Sequence, residues 1–99
     1  MKLLTKAIEK KLPKLYETEK MKDSDVKVLV HYFHPFSDWD WYVIEYDAEK
    51  KLFYGLVKGF EKELGYFSLT EMENIKIHGL GIERDLYFQP ITLDKLMKN

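Results

Sequence analysis

Glu63-Leu64-Gly65-Tyr66-Phe67-Ser68-Leu69-Thr70-Glu71-Met72-Glu73-Asn74-Ile75 is the stretch whose reading decides the fold. Leu64-Gly65-Tyr66-Phe67 predicts a short strand. Ser68 followed three residues later by Glu71 is a capping box, and Phe67 with Met72 supplies the matching hydrophobic staple. Leu69, Met72 and Ile75 recur at helical spacing, which turns one helix face toward a sheet. Thr70 with Glu73 is a competing cap, so the start is open by two residues. Gly79 reads as the C-terminal cap, because glycine tolerates the left-handed conformation. Leu80-Gly81-Ile82 then returns the chain, and Glu83-Arg84-Asp85 leads to a strand over Leu86–Gln89 that Pro90 stops. The expectation is that Tyr66–Phe88 folds back on itself, with its helix across the sheet and Arg84 alongside.

Upstream, Thr5 caps a short helix through Leu12 with Leu4, Ile8 and Leu12 inward. Pro13 ends it. Residues 14–25 form a polar connector with Tyr16 as its anchor. Val26–Phe33 is the first strand, with Val26, Val28 and Val30 on one face. His34–Asp38 is a turn, Trp39–Tyr46 the second strand, Asp47–Lys51 a hairpin loop and Leu52–Val57 the third strand. Val43, Ile44, Tyr54 and Leu56 make the middle strands apolar on both faces, as strands covered on both sides are. Thr92 caps a last helix, Leu93–Lys98. Strands in the middle with helices flanking them predict α+β: a mainly antiparallel sheet of four to five strands with short helices against it, in a single domain over 1–99.

Composition narrows the function classes. The net charge is −1, but it divides unevenly. Residues 1–30 hold eight lysines against five acids, and residues 31–99 hold seven lysines and Arg84 against twelve acids. Neither part is basic enough to neutralise a phosphate backbone, so nucleic acid is an improbable partner. Cysteine is absent, which excludes disulfides, thiolate zinc sites and cysteine nucleophiles. No apolar run approaches the roughly 18 residues that span a bilayer, so the expected location is the cytoplasm.

Five blocks together resemble one bacterial family. They are Leu-Pro-Lys-Leu-Tyr (12–16), Asp-Trp-Asp-Trp-Tyr-Val-Ile-Glu-Tyr-Asp (38–47), Phe-Tyr-Gly-Leu-Val-Lys-Gly-Phe-Glu (53–61), Glu-Leu-Gly-Tyr-Phe-Ser-Leu-Thr-Glu-Met-Glu (63–73) and Gly-Ile-Glu-Arg-Asp-Leu-Tyr-Phe (81–88). The chain is similar over nearly its whole length to domain-of-unknown-function family 2958. The resemblance implies a bacterial protein, often carried on mobile elements, and carries over no catalytic residue. Members often read Arg-Gly-Pro where this chain has Lys76-Ile77-His78-Gly79.

Two clusters stand out as candidate binding residues. Glu83-Arg84-Asp85 holds the only arginine, beside fifteen lysines. A guanidinium forks onto a carboxylate or phosphate as an ammonium cannot. The structural alternative pairs Arg84 with Glu45, Glu71 or Glu73. Trp39, Trp41 and Tyr42, with Phe33, Phe36 and Asp38 around them, form an aromatic turn of the kind that anchors protein interfaces. Their alternative is packing on the sheet or under the N-terminal helix. Asp38, Asp40, Glu45 and Asp47 oppose base stacking there by repelling phosphates.

Other chemistries find little support. His31 and His34 point to opposite strand faces, and no zinc spacing occurs, so no metal is expected. His78 near a helix C-terminus suits the helix dipole. Ser37 and Ser68 lack a nucleophile elbow, and Gly79 and Gly81 lack the helix of a phosphate-binding loop. No cofactor is implied. The leading expectation is an accessory protein that binds another protein. The runner-up is an enzyme with a pocket around Arg84, Glu83, Asp85 and His78. A third reading makes the acidic stretch 38–49 a nucleic-acid mimic.

Overall fold

Ser68 caps its helix as the sequence predicts. In the computed structural model, which describes residues 1–98, the Ser68 hydroxyl accepts the Glu71 N–H at 3.2 Å and opens α2 (Leu69–Asn74). Leu69 and Met72 are buried, and Ile75 packs against the same cluster. In chain order the elements are α1 (Lys6–Glu9), β1 (Lys27–Val28), β2 (Val30–Phe33), β3 (Asp40–Asp47), β4 (Leu52–Lys58), β5 (Lys62–Ser68), α2, β6 (Lys76–Ile77), β7 (Leu80–Gly81), β8 (Glu83–Arg84), β9 (Ile91–Thr92) and α3 (Leu93–Met97). The main sheet has five strands in the order β5-β4-β3-β2-β8, every neighbouring pair antiparallel. The fold is α+β.

Both faces of the sheet are covered. One face buries Val30, Tyr32, Val43 and Phe53 against Leu3, Leu4, Leu12 and α2. The other buries Val28, Ile44 and Leu56 against Leu93 and Leu96 of α3. Thr5 caps α1 as expected, its hydroxyl accepting the Ile8 N–H at 3.2 Å. Tyr32, Phe53 and Leu56 have no exposed surface. Full burial of such a side chain stabilises by roughly 1.5–3 kcal/mol, so the middle strands carry much of the core energy.

Four expectations are corrected. Val26–Phe33 is not one strand. It breaks at Leu29, whose N–H bonds the Val43 carbonyl. Lys27–Val28 pairs with Ile91–Thr92, while Val30–Phe33 joins the main sheet. Val28 and Val30 therefore enter different cores. The last sheet strand is Glu83–Arg84, which pairs with Phe33 and Tyr32. Leu86–Gln89 lies outside it, with Leu86 and Tyr87 exposed.

Gly79 does not cap α2, which ends at Asn74 with Ile75 already extended. His78 (φ +53°) and Gly79 (φ +79°) are instead the two central residues of a tight hairpin, with Ile77 opposite Leu80. Two consecutive positive φ values are the backbone of a type I′ turn. His78 is thus a turn residue, with its ring edge-on to Phe36 at 5.7 Å. Finally, the ring of Tyr16 anchors nothing in the core, being 62% exposed. The connector is anchored through its main chain, as the site geometry shows.

Candidate functional site

Strand alternation divides the aromatic turn between the two faces of the sheet. Trp41 lies opposite Tyr32 and Val57, and packs against the first core. Trp39 precedes the strand, and its ring meets Trp41 at 6.1 Å and Phe60 at 5.5 Å. A Cβ at Gly59 would lie 2.4 Å from the Trp39 ring, so that glycine is what lets the ring settle on the β4–β5 turn. Tyr42 faces the other way, stacked on the His31 ring at 4.5 Å and 8°. Lys58 sits 5.3 Å above Tyr42.

Glu83-Arg84-Asp85 is divided in the same manner. Arg84 pairs across the ladder with Tyr32, and its Nη1 donates to the carbonyls of Lys2 at 2.6 Å and Leu3 at 3.3 Å. The expected partners Glu45, Glu71 and Glu73 are not what it holds. The guanidinium fastens the N-terminal segment over the first core, where the Tyr32 hydroxyl also donates to the Leu3 carbonyl at 2.7 Å. A cavity of about 380 Å³ does lie between α2 and the returning strand, lined by Glu83, Glu73, Lys76 and Met72 among others. Arg84 and His78 are not in its wall.

Asp85 turns to Tyr42's side of the sheet and meets a residue that sequence reasoning set aside. His31 Nδ1 lies 3.0 Å from Asp85 Oδ2, and its Nε2 lies 2.7 Å from Asp40 Oδ1. Both ring nitrogens lie within hydrogen-bonding distance of carboxylate oxygens, so the three side chains bridge one another. The His31 hydrogen bond holds the Asp85 carboxyl below the ordinary aspartate range. Burial pushes the Tyr42 phenol up, and Asp40 and Asp85 add to that. This clasp ties the residue after β8 to β2 and β3, and both His31 ring nitrogens are engaged in it.

His34 is occupied too. Its Nδ1 accepts the Phe36 N–H at 3.0 Å, so Nε2 carries the hydrogen and donates to the Leu80 carbonyl at 2.8 Å. Among the described residues no group of three or more His, Asp or Glu side chains is arranged to hold a metal ion.

Glu45 is the second residue that the sequence concealed. The β3–β4 ladder runs Val43 to Gly55 and then Glu45 to Tyr54, which leaves Ile44 as an extra residue, a β-bulge. A bulge re-aims the side chains that follow it. Simple alternation puts Glu45 on the face of Val43. The bulge puts it with Tyr54, on the face of Ile44 and Leu56, and sends Tyr46 into the first core beside Phe53. Gly55 makes this possible, because a Cβ there would lie 1.8 Å from the Tyr42 carbonyl oxygen.

The re-aimed carboxylate is 3% exposed. It accepts the Tyr16 and Thr18 N–H groups, each at 2.9 Å, and the Thr18 hydroxyl. The Tyr46 N–H donates to the Pro13 carbonyl at 2.9 Å. The connector thus takes the place of a strand beside the end of β3, and Tyr16 is held at φ +73°, a region that bulky residues rarely enter.

Glu45 floors a cavity of about 200 Å³. Tyr16, Tyr54 and Tyr66 stand around it, with Tyr54 and Tyr66 directly opposed across the β4–β5 ladder and their rings 5.2 Å apart. Burial pushes the Tyr54 phenol up, and the charges of Glu45 and Asp23 push it further.

The carboxylates of 38–49 are largely committed elsewhere. Asp40 meets His31, Glu45 is buried, and Asp47 accepts the Glu49 and Lys50 N–H groups of its own turn. No helix among the described residues is long and apolar enough to cross a membrane.

The family described as protein of unknown function (DUF2958) matches residues 3–96, and the chain belongs to it. No curated protein and no solved structure matches the chain.

Proposed function

We propose that the protein works by binding another protein, which docks an extended segment along the outer edge of β5 and seats against the aromatic cluster at its start. The observation that carries this reading is Phe60. It is 95% exposed, at the turn where β5 begins, with its ring against Trp39. Large aromatics in solvent are the residues from which interface hot spots are made.

The edge itself supports the reading. β5 is seven residues long, pairs on one side with β4, and ends the sheet order. Leu64 and Tyr66 are exposed along it. A long edge with apolar side chains is an open template for strand addition, in which main-chain bonds supply affinity and alternate side chains supply specificity. Glu61 and Glu63 follow Phe60 and disfavour a phosphate backbone as the occupant.

The test immobilises the wild-type protein and its Phe60→Ser variant and compares the proteins each retains from host extract. Because Phe60 is exposed, the substitution should change folding stability by no more than about 0.5 kcal/mol. A partner held by the wild type should be weakened at least about tenfold by the variant. In the complex, β5 amides should gain protection from hydrogen exchange. Equal retention by both proteins, or β5 amides that stay unprotected, would overturn the reading.

A further inference from the structure

We infer that the cavity floored by Glu45 and walled by Tyr16, Tyr54 and Tyr66 is a binding site for an alkylammonium group. The inference goes beyond the β5 docking surface and holds whether or not that edge takes a partner.

Glu45 is 3% exposed, and its three hydrogen-bond donors are two amides and a hydroxyl, all neutral. Neutral donors orient a carboxylate without cancelling its charge. No cation is among the groups that Glu45 bonds, which are the Tyr16 and Thr18 amides and the Thr18 hydroxyl. The other charged residues in the cavity wall, Glu19 and Asp23, have the same sign, and no lysine or arginine lines it. A buried charge is costly unless it is paired. Here the missing partner is a cation, and the cavity lies beside the carboxylate.

The walls match that occupant. Three tyrosines line the cavity, and aromatic rings of this kind are what proteins use to hold ammonium groups. Tyr16 and Tyr66 are 62% and 52% exposed, so the entrance is open, while Tyr54 lies deeper. Ile44, Leu64 and Leu93 supply apolar wall for an alkyl stem. The volume of about 200 Å³ equals that of several water molecules at ~30 Å³ each, enough for the end of an aminoalkyl chain. Staking the connector through Glu45 does not account for the tyrosines. The groups that Glu45 bonds are the Tyr16 and Thr18 amides and the Thr18 hydroxyl, none of them a tyrosine ring; the Tyr16 and Tyr66 side chains bond each other at the cavity instead.

Two sources carry this chemistry, a lysine side chain of a protein and a free amine. The test titrates isotope-labelled protein with N-acetyl-lysine methylamide, with the neutral isostere N-acetyl-norleucine methylamide and with 1,5-diaminopentane, following the NMR signals of Thr18, Tyr54 and Tyr66. The expected result is saturable shifts with the two amines and none with norleucine. Tyr66→Ala and Tyr16→Ala change exposed rings and leave the fold intact, and each should weaken binding roughly three- to thirtyfold. Tighter binding of the lysine derivative assigns the site to a protein side chain, and tighter binding of the diamine assigns it to a soluble amine. Equal response to norleucine, unchanged affinity in both tyrosine variants, or no shifts would overturn the inference. Phe60→Ser lies outside this cavity and should bind the amine as the wild type does, which separates failure here from failure of the docking surface.

Discussion

The His31 clasp and the Glu45 cavity lie on the same face of one sheet, and both are built around carboxylates, yet their electrostatics are opposite. At His31 each acid finds a ring nitrogen, and the three side chains close on one another. At Glu45 the acid finds amides and a hydroxyl only, and a hollow remains beside it. Where an acid has a cationic or proton-donating partner within the fold, it serves the fold. Where its only partners are dipoles, its charge stays available to a ligand.

The largest expected effect comes from breaking the bulge that creates the difference. Gly55→Ala drives a Cβ against the Tyr42 carbonyl, a contact that main chain cannot relieve by rotating a side chain. Overpacking of that kind should cost about 3 kcal/mol or more, a fall in Tm of at least roughly 12 °C for a domain of this size. Thermal unfolding measures it, and a fall of only a few degrees would show that the bulge is dispensable.

Glu45→Gln comes next. It keeps the shape but places an amide where two N–H groups and a hydroxyl donate, and should cost about 2 kcal/mol in urea unfolding. It also removes the charge that helps hold the Tyr54 phenol up, so the Tyr54 pKa should fall toward its ordinary value without reaching it, because burial is the larger cause. An unmoved Tyr54 titration would mean that the Glu45 charge is not felt in the cavity.

Asp85→Asn should have the smallest effect, confined to a pH window. The Asp85 pKa is depressed in the folded state by the His31 hydrogen bond. Its contribution is therefore fully present above the ordinary value of 3.8 and is lost as pH falls through the lower folded value. Wild type should be the more stable at pH 7, and the gap to Asp85→Asn should close as pH drops below 3.8. Because Asp85 is partly solvated, screening keeps the gap small. A gap that persists in acid would assign the effect to packing.

Local chemistry made much of the fold legible. The Ser68–Glu71 spacing predicts the α2 cap, the Thr5 cap holds α1, and apolar and aromatic runs between turns locate β3, β4 and β5 to within two residues. The misreadings share a cause. Val26–Phe33 reads as one continuous β-branched run, and only the competing partners β3 and β9 divide it. Gly79 after a helix reads as a cap, and the pairing of Ile77 with Leu80 makes it a hairpin turn instead. The site was less legible than the fold. Tyr42 and Asp85 were singled out for different reasons and prove to share His31, while Trp39, Trp41 and Arg84 serve the opposite side of the sheet. The glycine opposite a strand so rich in large residues was the one available sign of a bulge, and a lone Gly55 is too weak a sign to act on.

By itself the sequence determined the long central strands and the Ser68-capped helix, the α+β class, and that cysteine thiolate chemistry is absent from this chain. Those properties follow from short-range rules: cap spacing, a side-chain period of two or of 3.6, and the presence or absence of a residue type. Tertiary structure alone decided which side chains share a face. A one-residue shift in pairing moves every later side chain to the other side of a strand. The bulge at Ile44 makes that shift, and it exists because Gly55, across the hairpin, has no Cβ to prevent it.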